Sequence, residues 1–355
     1  MTILQVCAYA APYEGNFIKS LKALGKVYEE KGDKMVYAFS ESARNISWCK
    51  ELEKHTDVYY LPLAKARIKI KTYTMLKEIY HKYKDLKIIH SHFELYDAPV
   101  SLTAPENVKV FWHLHDALEG YTGLKNRLEH KVQYGFCHKN AILLSVSKKH
   151  MKYVLKKGFP EKNARYVPNG LDTDRIKLVS TMVNQRKYDF LIFGWEYERK
   201  GVDLCIEAIK KNSNENFKVA IVGSENTENI IKEKYGNVQG VEVVKPVSDI
   251  NELYANSKCF LHISRAEGLS YALLEAVYAG LPVICSNISE NKFAEKFPTV
   301  EMVESENVTD IAEKMKCVIS KNTYSKDMIE KSRKIIDEEY SIACWVKNML
   351  KQYGE

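Results

Sequence analysis

The sequence predicts an α/β protein made of two doubly wound, parallel-sheet domains in succession. Three observations carry this. Short apolar, β-rich runs alternate with helix-periodic segments along most of the chain, the pattern of strand–helix–strand crossovers. The alternation comes as two series, with a polar stretch lacking a clear strand at residues 174–187 between them. The length of 355 residues, at roughly 100–200 per domain, suits two domains that each bury a core.

In the first series, residues 3–8, 35–39, 58–60, 87–90, 108–114 and 141–145 are runs of Val, Ile, Leu, Phe and Tyr too short for helices. Between them, residues 17–30, 73–83, 124–137 and 148–156 carry apolar residues at helical spacing, and Ser147 stands where it caps the last helix. In the second series the strands are 188–193, 217–222, 241–244, 259–263 and 282–285. The helices are 202–211, 228–235, 250–256 and 270–278. Gly280 is placed to stop the last helix, and Pro282 opens the strand after it. The tail, 324–353, is helical in pattern, with Met328, Ile335, Ile336, Trp345 and Leu350 as its apolar positions. Domain boundaries are expected at 1–172 and 173–335, with a helix at 336–355 packing back on the first domain.

Composition removes several classes. Hydrophobic residues are 45% and charged residues 28%, which argues against a disordered, collagenous or disulfide-scaffold chain. The eight cysteines include no CxxC or CxxH spacing, and Cys7, Cys259 and Cys285 sit in apolar runs as small core residues. A reducing, cytoplasmic setting fits best. The first fifteen residues have no basic segment followed by a long apolar one, so no signal peptide is expected. No apolar stretch approaches the roughly 20 residues of a spanning helix.

In open α/β sheets ligands bind beyond the carboxyl ends of the strands, and two facing domains would form a cleft there. The segment SRAEGLSYALLEAVYAGLPVICS, residues 264–286, begins at such a strand end. The amides of Gly268, Leu269, Ser270 and Tyr271 would open the following helix and suit a phosphate. Glu275 lies eight residues after Glu267, about 80° apart if both were helical, so both reach one ligand only if Glu267 is in the loop. Taken alone, either glutamate is equally an ordinary surface charge. The segment FGWEYERKG, 193–201, follows another strand: Gly194 opens a loop, and Lys200 precedes a helix, where it can place a point charge on a phosphate. The spacing is not that of a P-loop.

These segments resemble retaining GT-B glycosyltransferases of family 4, the EX7E type, two Rossmann-like domains facing across a cleft. Strand-PNGLD at 165–172 and the Lys-Gly pair at 200–201 resemble the same family. The resemblance implies that the first domain faces the acceptor and the second binds a nucleotide sugar. It implies that Glu267 contacts the donor sugar, Glu275 the ribose, and the amides of 268–271 the diphosphate. Lys200 matches the lysine that neutralises the diphosphate. The arginine expected after Gly194 is Trp195 here: Arg199 supplies the charge, or the indole stacks on a sugar or base, or the site is weaker. His115-Asp116 matches the family's histidine near the reacting sugar, with His113 in reserve, and His113, Asp116 and Asn169, the last at the domain boundary, are expected on the acceptor side. Gly15 takes the place of a glycine-rich loop, of which only that residue fits.

The activity so implied is a retaining transfer from a nucleotide-diphosphate sugar, with UDP-sugars favoured, to a glycan, lipid-linked or polymer acceptor in bacterial surface polysaccharide or glycoconjugate synthesis. Catalytic roles fall to His115, Glu267 and Lys200. No cofactor and no metal are expected: Asp172-Thr-Asp174 is only a three-letter match to a metal motif, and the pairs His90/His92 and His113/His115 have no carboxylate or cysteine partner at a recognisable spacing. Residues 65–87 hold eight basic against two acidic side chains, with Tyr73, Tyr80 and Tyr83 interleaved. They form a solvated basic face or a contact for an anionic membrane or acceptor; no nucleic-acid motif accompanies them. The alternative is a non-catalytic relative acting as accessory subunit or chaperone of a partner transferase, motivated by Trp195 and the reduced loop at Gly15.

Overall fold

The structure, a computed structural model, describes residues 1–115, 124–179, 186–247, 249–321 and 324–354. It divides into two compact units: Met1–Gly170 with Ile342–Glu355, and Leu171–Ser341. The strands are β1 Thr2–Cys7, β2 Lys34–Ser40, β3 Val58–Leu61, β4 Leu86–His92, β5 Lys109–Leu114, β6 Ile142–Ser145, β7 Ala164–Tyr166, β8 Tyr188–Phe193, β9 Val219–Val222, β10 Val241–Val244, β11 Ser257–His262, β12 Val283–Ser286 and β13 Val300–Val303. The helices are α1 Gly15–Glu30, α2 Ser47–Glu53, α3 Ile70–Lys82, α4 Asp97–Thr103, α5 Leu124–Phe136, α6 Lys148–Lys156, α7 Val202–Lys211, α8 Glu225–Tyr235, α9 Ile250–Ala255, α10 Tyr271–Tyr278, α11 Val308–Lys321, α12 Lys326–Glu339 and α13 Ile342–Tyr353.

The first unit is a parallel sheet in the order β3-β2-β1-β4-β5-β6-β7. Its inner strands are mostly apolar on both sides because helices cover both faces, with Gln5, His90, His92 and His113 as buried polar exceptions. One face packs Ile3, Cys7 and Phe111 against Phe17, Leu21 and Leu24 of α1 and Trp345, Met349 and Tyr353 of α13. The other packs Leu4, Ile89 and Trp112 against Leu76 of α3, Val100 of α4 and Tyr134 of α5. The second unit is a parallel sheet in the order β10-β9-β8-β11-β12-β13. Phe190, Ile192, Val219 and Leu261 meet Cys205 and Ile209 of α7 and Met315 of α11.

Both sheets are doubly wound, and each reverses its strand order at one point: between β1 and β4, and between β8 and β11. That reversal opens a crevice at the carboxyl ends of the strands, the place where such sheets hold ligands. The elements not anticipated from sequence are the edge strand β13 and the helices α2, α4 and α11. The tail at 324–353 is two helices rather than one, parted at Tyr340–Ser341, and only α13 belongs to the first unit.

Candidate functional site

In the second unit, two loops leave β8 and β11 on either side of the reversal. The first turns at Gly194, whose amide donates to the Val222 carbonyl at 2.8 Å. It ends at Gly201, in the left-handed conformation with φ +73°, where a Cβ would come within 2.4 Å of the Ile263 carbonyl oxygen. Only glycine allows that approach. The two loops are tied together: the Arg265 amide donates to the Arg199 carbonyl at 2.8 Å, and the Arg199 guanidinium to the Ala266 carbonyl at 2.9 Å. Arg265 forks onto Asp203 at 2.8 and 2.7 Å, fixing the start of α7.

This tie brings the predicted charges together. Glu267 lies in the loop and is buried. Lys200 Nζ donates to its Oε1 at 2.7 Å, and Arg199 to its Oε2 at 3.2 Å. Burial raises the Glu267 carboxyl, but the charges of His262, Lys200 and Arg199 outweigh it and hold the group at about 2. Burial takes the His262 imidazole down to about 4. Arg199 also grips Glu196, so it occupies the charge cluster although Trp195 stands in the arginine's place. Trp195 is 49% exposed, stacks on Phe193 with ring centres 5.0 Å apart, and has Lys200 Nζ 5.8 Å from its ring centre.

Beyond Glu267, Gly268 and Leu269 lead to Ser270, the N-cap of α10, whose hydroxyl accepts from the Leu273 amide at 3.4 Å. The amides of this first turn, Tyr271 among them, point out of the helix N-terminus. Glu275 is buried one turn along. It pairs with Arg175 and accepts from the Tyr254 hydroxyl at 3.2 Å. Arg175 follows directly on Asp172-Thr-Asp174, in a short 3-10 turn.

In the first unit, Gly15 begins α1 at φ +60° after the loop from β1, with its Cβ position 3.1 Å from the Tyr9 hydroxyl. His90 and His92 on β4 and His113 and His115 on and just after β5 share one sheet face, as alternate residues must. Both nitrogens of His115 are engaged: Nδ1 lies 2.9 Å from Asn169 Oδ1, and Nε2 lies 2.9 Å from His92 Nδ1. His92 Nε2 lies 2.8 Å from Gln5 Oε1. Burial takes His115 down to about 4, with Asn169 opposing, and holds His90, His92 and His113 well below 6.5. His113 is fully buried, its ring stacked on His115 with centres 4.1 Å apart. Asp116 lies outside the described residues. Ring nitrogens of His90, His92 and His113 lie within 4.8 Å of one another. Among the described residues no carboxylate or thiolate joins that group to offset a divalent charge, and His92 already spends both nitrogens.

A family model described as Glycosyltransferase Family 4 matches residues 29–175, and one described as Glycosyl transferases group 1 matches residues 178–335. The chain is a family 4 glycosyltransferase of the GT-B fold. It is 24% identical over 252 residues to the capsular polysaccharide biosynthesis glycosyltransferase CapH of Staphylococcus aureus, covering 66% of this chain and 67% of the relative. A glycosyltransferase from Rickettsia africae superposes with TM-score 0.79 at 18% identity, covering 99% and 97% of the two chains. The Anabaena protein Alr3699/HepE, solved in complex with UDP, superposes with TM-score 0.80 at 14% identity, covering 99% of each.

In this glycosyltransferase, the partner residues Arg175, Tyr254, His262 and Gln5 are not marked out by any sequence motif, and His92 is marked only as half of the His90/His92 pair. Arg175 has one available signal, its position directly after the Asp172–Asp174 triplet. Tyr254, His262 and Gln5 show nothing locally, because their neighbours are distant in the chain.

Proposed function

We propose that this glycosyltransferase moves a sugar from a nucleotide-diphosphate donor, UDP-linked by preference, to a hydroxyl of a glycan, lipid-linked or polymer acceptor, with retention at the anomeric carbon. The observation that carries the donor reading is the grouping at one sheet reversal of the Lys200–Glu267 pair, the N-terminus of α10 and the buried Glu275. Lys200 and Arg199 supply positive charge and the α10 amides supply donors, together suited to a diphosphate, without an ion being required. Glu267 then orients the donor sugar, and Glu275 holds the ribose in exchange for its present partners. The C–O bond to the diphosphate breaks, the acceptor oxygen bonds to the same face, and the departing phosphate oxygen takes the acceptor's proton. The protein's contribution is position and charge. In the first unit, His115 is assigned to the sugar, Gly15 to close backbone approach, and His113 and Asn169 to the acceptor side.

The capsular relative and the UDP-bound neighbour support a polysaccharide or glycoconjugate product and a uridine base. All eight cysteines are free thiols, in keeping with a cytoplasmic setting. Among the described residues no helix is long and apolar enough to cross a membrane. Contact with the membrane surface falls to residues 65–87. There Ile68 and Ile70 are 76% and 78% exposed between the exposed Lys65, Lys69 and Lys71.

Thermal shift against UDP, GDP, ADP and their sugar conjugates, with and without divalent metal, tests the reading. Ligand at 100 times its Kd stabilises by about 2.7 kcal/mol. A base-selective shift that Glu275→Ala abolishes is expected. No shift with any nucleotide would move the assignment to an accessory role.

A further inference from the structure

His262 is the last residue of β11, buried at the head of the loop that carries Glu267. Two acceptors flank its ring. Nε2 lies 3.9 Å from Glu267 Oε1, beyond hydrogen-bond reach, and has no hydrogen-bond partner among the described residues. The second acceptor is Asn291, fully buried in the turn after β12. Its amide nitrogen donates to the Ser286 carbonyl at 3.1 Å and to the Ser286 hydroxyl at 3.3 Å. A carbonyl only accepts, so the amide is fixed this way round and its oxygen is the atom left over. That Oδ1 is also buried without a hydrogen-bond partner, and it lies beside the imidazole, where it favours the protonated ring. A neutral imidazole has one N–H for these two acceptors; an imidazolium has two.

Burial keeps the ring neutral at rest, and repulsion from Lys200 and Arg199 works against the attraction of Glu267. The thiol of Cys285, opposite His262 on β12, is held protonated by burial. Glu290, next to Asn291, accepts from the Ser289 hydroxyl at 2.6 Å. In the loop after β8, Arg199 also donates to Glu196. The cluster therefore holds no surplus of positive charge: Lys200 and Arg199 stand against Glu267 and Glu196. Arg265, the next cation, already faces Asp203 and Glu306. A nucleotide-diphosphate sugar brings two negative charges into this cluster. Lys200 and Arg199 then divide between Glu267 and the diphosphate, and a dianion is added near the ring. Both changes favour the charged imidazole.

We propose that His262 is a positioning residue of the donor site that takes up a proton from solvent as the donor binds. The imidazolium pairs with Glu267 through Nε2 and turns its other N–H to Asn291. Glu267 thus stays ionised and in place when Lys200 and Arg199 turn to the diphosphate. This rests on the assignment of the donor diphosphate to Lys200 and Arg199. The coupling is reciprocal: a proton on His262 raises donor affinity by the factor by which the donor raises the affinity for that proton.

The test is isothermal titration calorimetry of the full chain in EDTA at pH 6. The probe is UDP-glucose, or GDP-glucose or ADP-glucose where the thermal shift selects that base. The diphosphate of these donors keeps both charges from pH 6 to 8, so the ligand itself contributes no proton change. Titration in buffers of different ionisation enthalpy counts the protons. Net uptake of at most one proton per donor is expected, with an affinity that falls as pH rises and levels off where His262 stays neutral. His262→Gln is expected to abolish the uptake and flatten the affinity profile, which a merely structural role would not do. Asn291→Leu removes the second acceptor and is expected to reduce the uptake; it serves where His262→Gln does not fold. Donor binding without proton uptake in the wild type overturns the proposal. So does unchanged uptake in whichever of the two variants folds, which would put the proton on another group. Failure of all three nucleotide sugars to bind overturns the donor reading and this proposal together, so the two failures are told apart.

Discussion

Lys200 and Glu267, 67 residues apart, form a 2.7 Å ion pair in which both side chains are buried. Removing one partner from such a pair leaves an uncompensated buried charge. Lys200→Met is expected to cost about 3 kcal/mol, the low end for such a change, because Arg199 still reaches Glu267. Lys200→Met with Glu267→Leu is expected to regain most of that loss. Urea unfolding of the two variants checks both; an additive double variant would mean the pair is not coupled.

Stability is expected to fall in two acid steps. The folded-state values of His115 and His262 lie near 4, below the ordinary 6.5. Between those values the unfolded chain binds more protons, so stability is full above pH 6.5 and is lost as pH falls towards 4. Each imidazole accounts for about 3 kcal/mol. Glu267, held near 2 against an ordinary 4.5, adds stability above pH 4.5 that is lost as pH falls towards 2. Unfolding free energies at pH 7.5, 5.5 and 4.5 check the first step, and a flat profile from 7.5 to 4.5 would contradict it.

Gly201→Ala places a methyl group 2.4 Å from the Ile263 carbonyl, in a left-handed conformation. A clash with backbone cannot be relieved by a rotamer change. A loss of about 2–4 kcal/mol is expected, with a lowered Tm, and the loop carrying Glu267 should be displaced. Unchanged nucleotide binding in this variant would separate the loop from the donor site.

Trp195 is the exposed tryptophan; Trp48, Trp112 and Trp345 are each buried. Quenching of indole fluorescence by iodide is therefore expected to come almost wholly from Trp195 and to vanish in Trp195→Phe. Protection from iodide by a nucleotide sugar is expected if the indole covers the donor. Undiminished quenching at saturating ligand would place the indole outside that site.

The central strands were legible because parallel strands covered on both faces read as continuous apolar runs, as in FLIF, residues 190–193 of β8. The edge strand β13, VEMV, carries Glu301 and is only half-buried, so its pattern is broken. The helix α11 has periodic apolar residues, but it follows that obscured strand and so drops out of the alternation that located the other helices. Of the site, Glu267, Lys200 and Glu275 sit in local motifs and could be named. The histidine pairs were visible as alternate residues, but their chain through Gln5 to Tyr353 was not, because a bond between residues 348 apart leaves no local trace.

The return of α13 to the first unit has a bearing on how the molecule is made. Translation delivers residues 1–170, then the 171 residues of the second unit, and only then the helix carrying Trp345, Met349 and Tyr353. At 5–20 residues per second, the first sheet waits roughly 10–30 s with one face covered by α1 but not yet by α13. The second unit emerges whole in that interval and is free to fold before the first is complete, which leaves the part of the first sheet that α13 covers accessible to chaperones until that helix arrives.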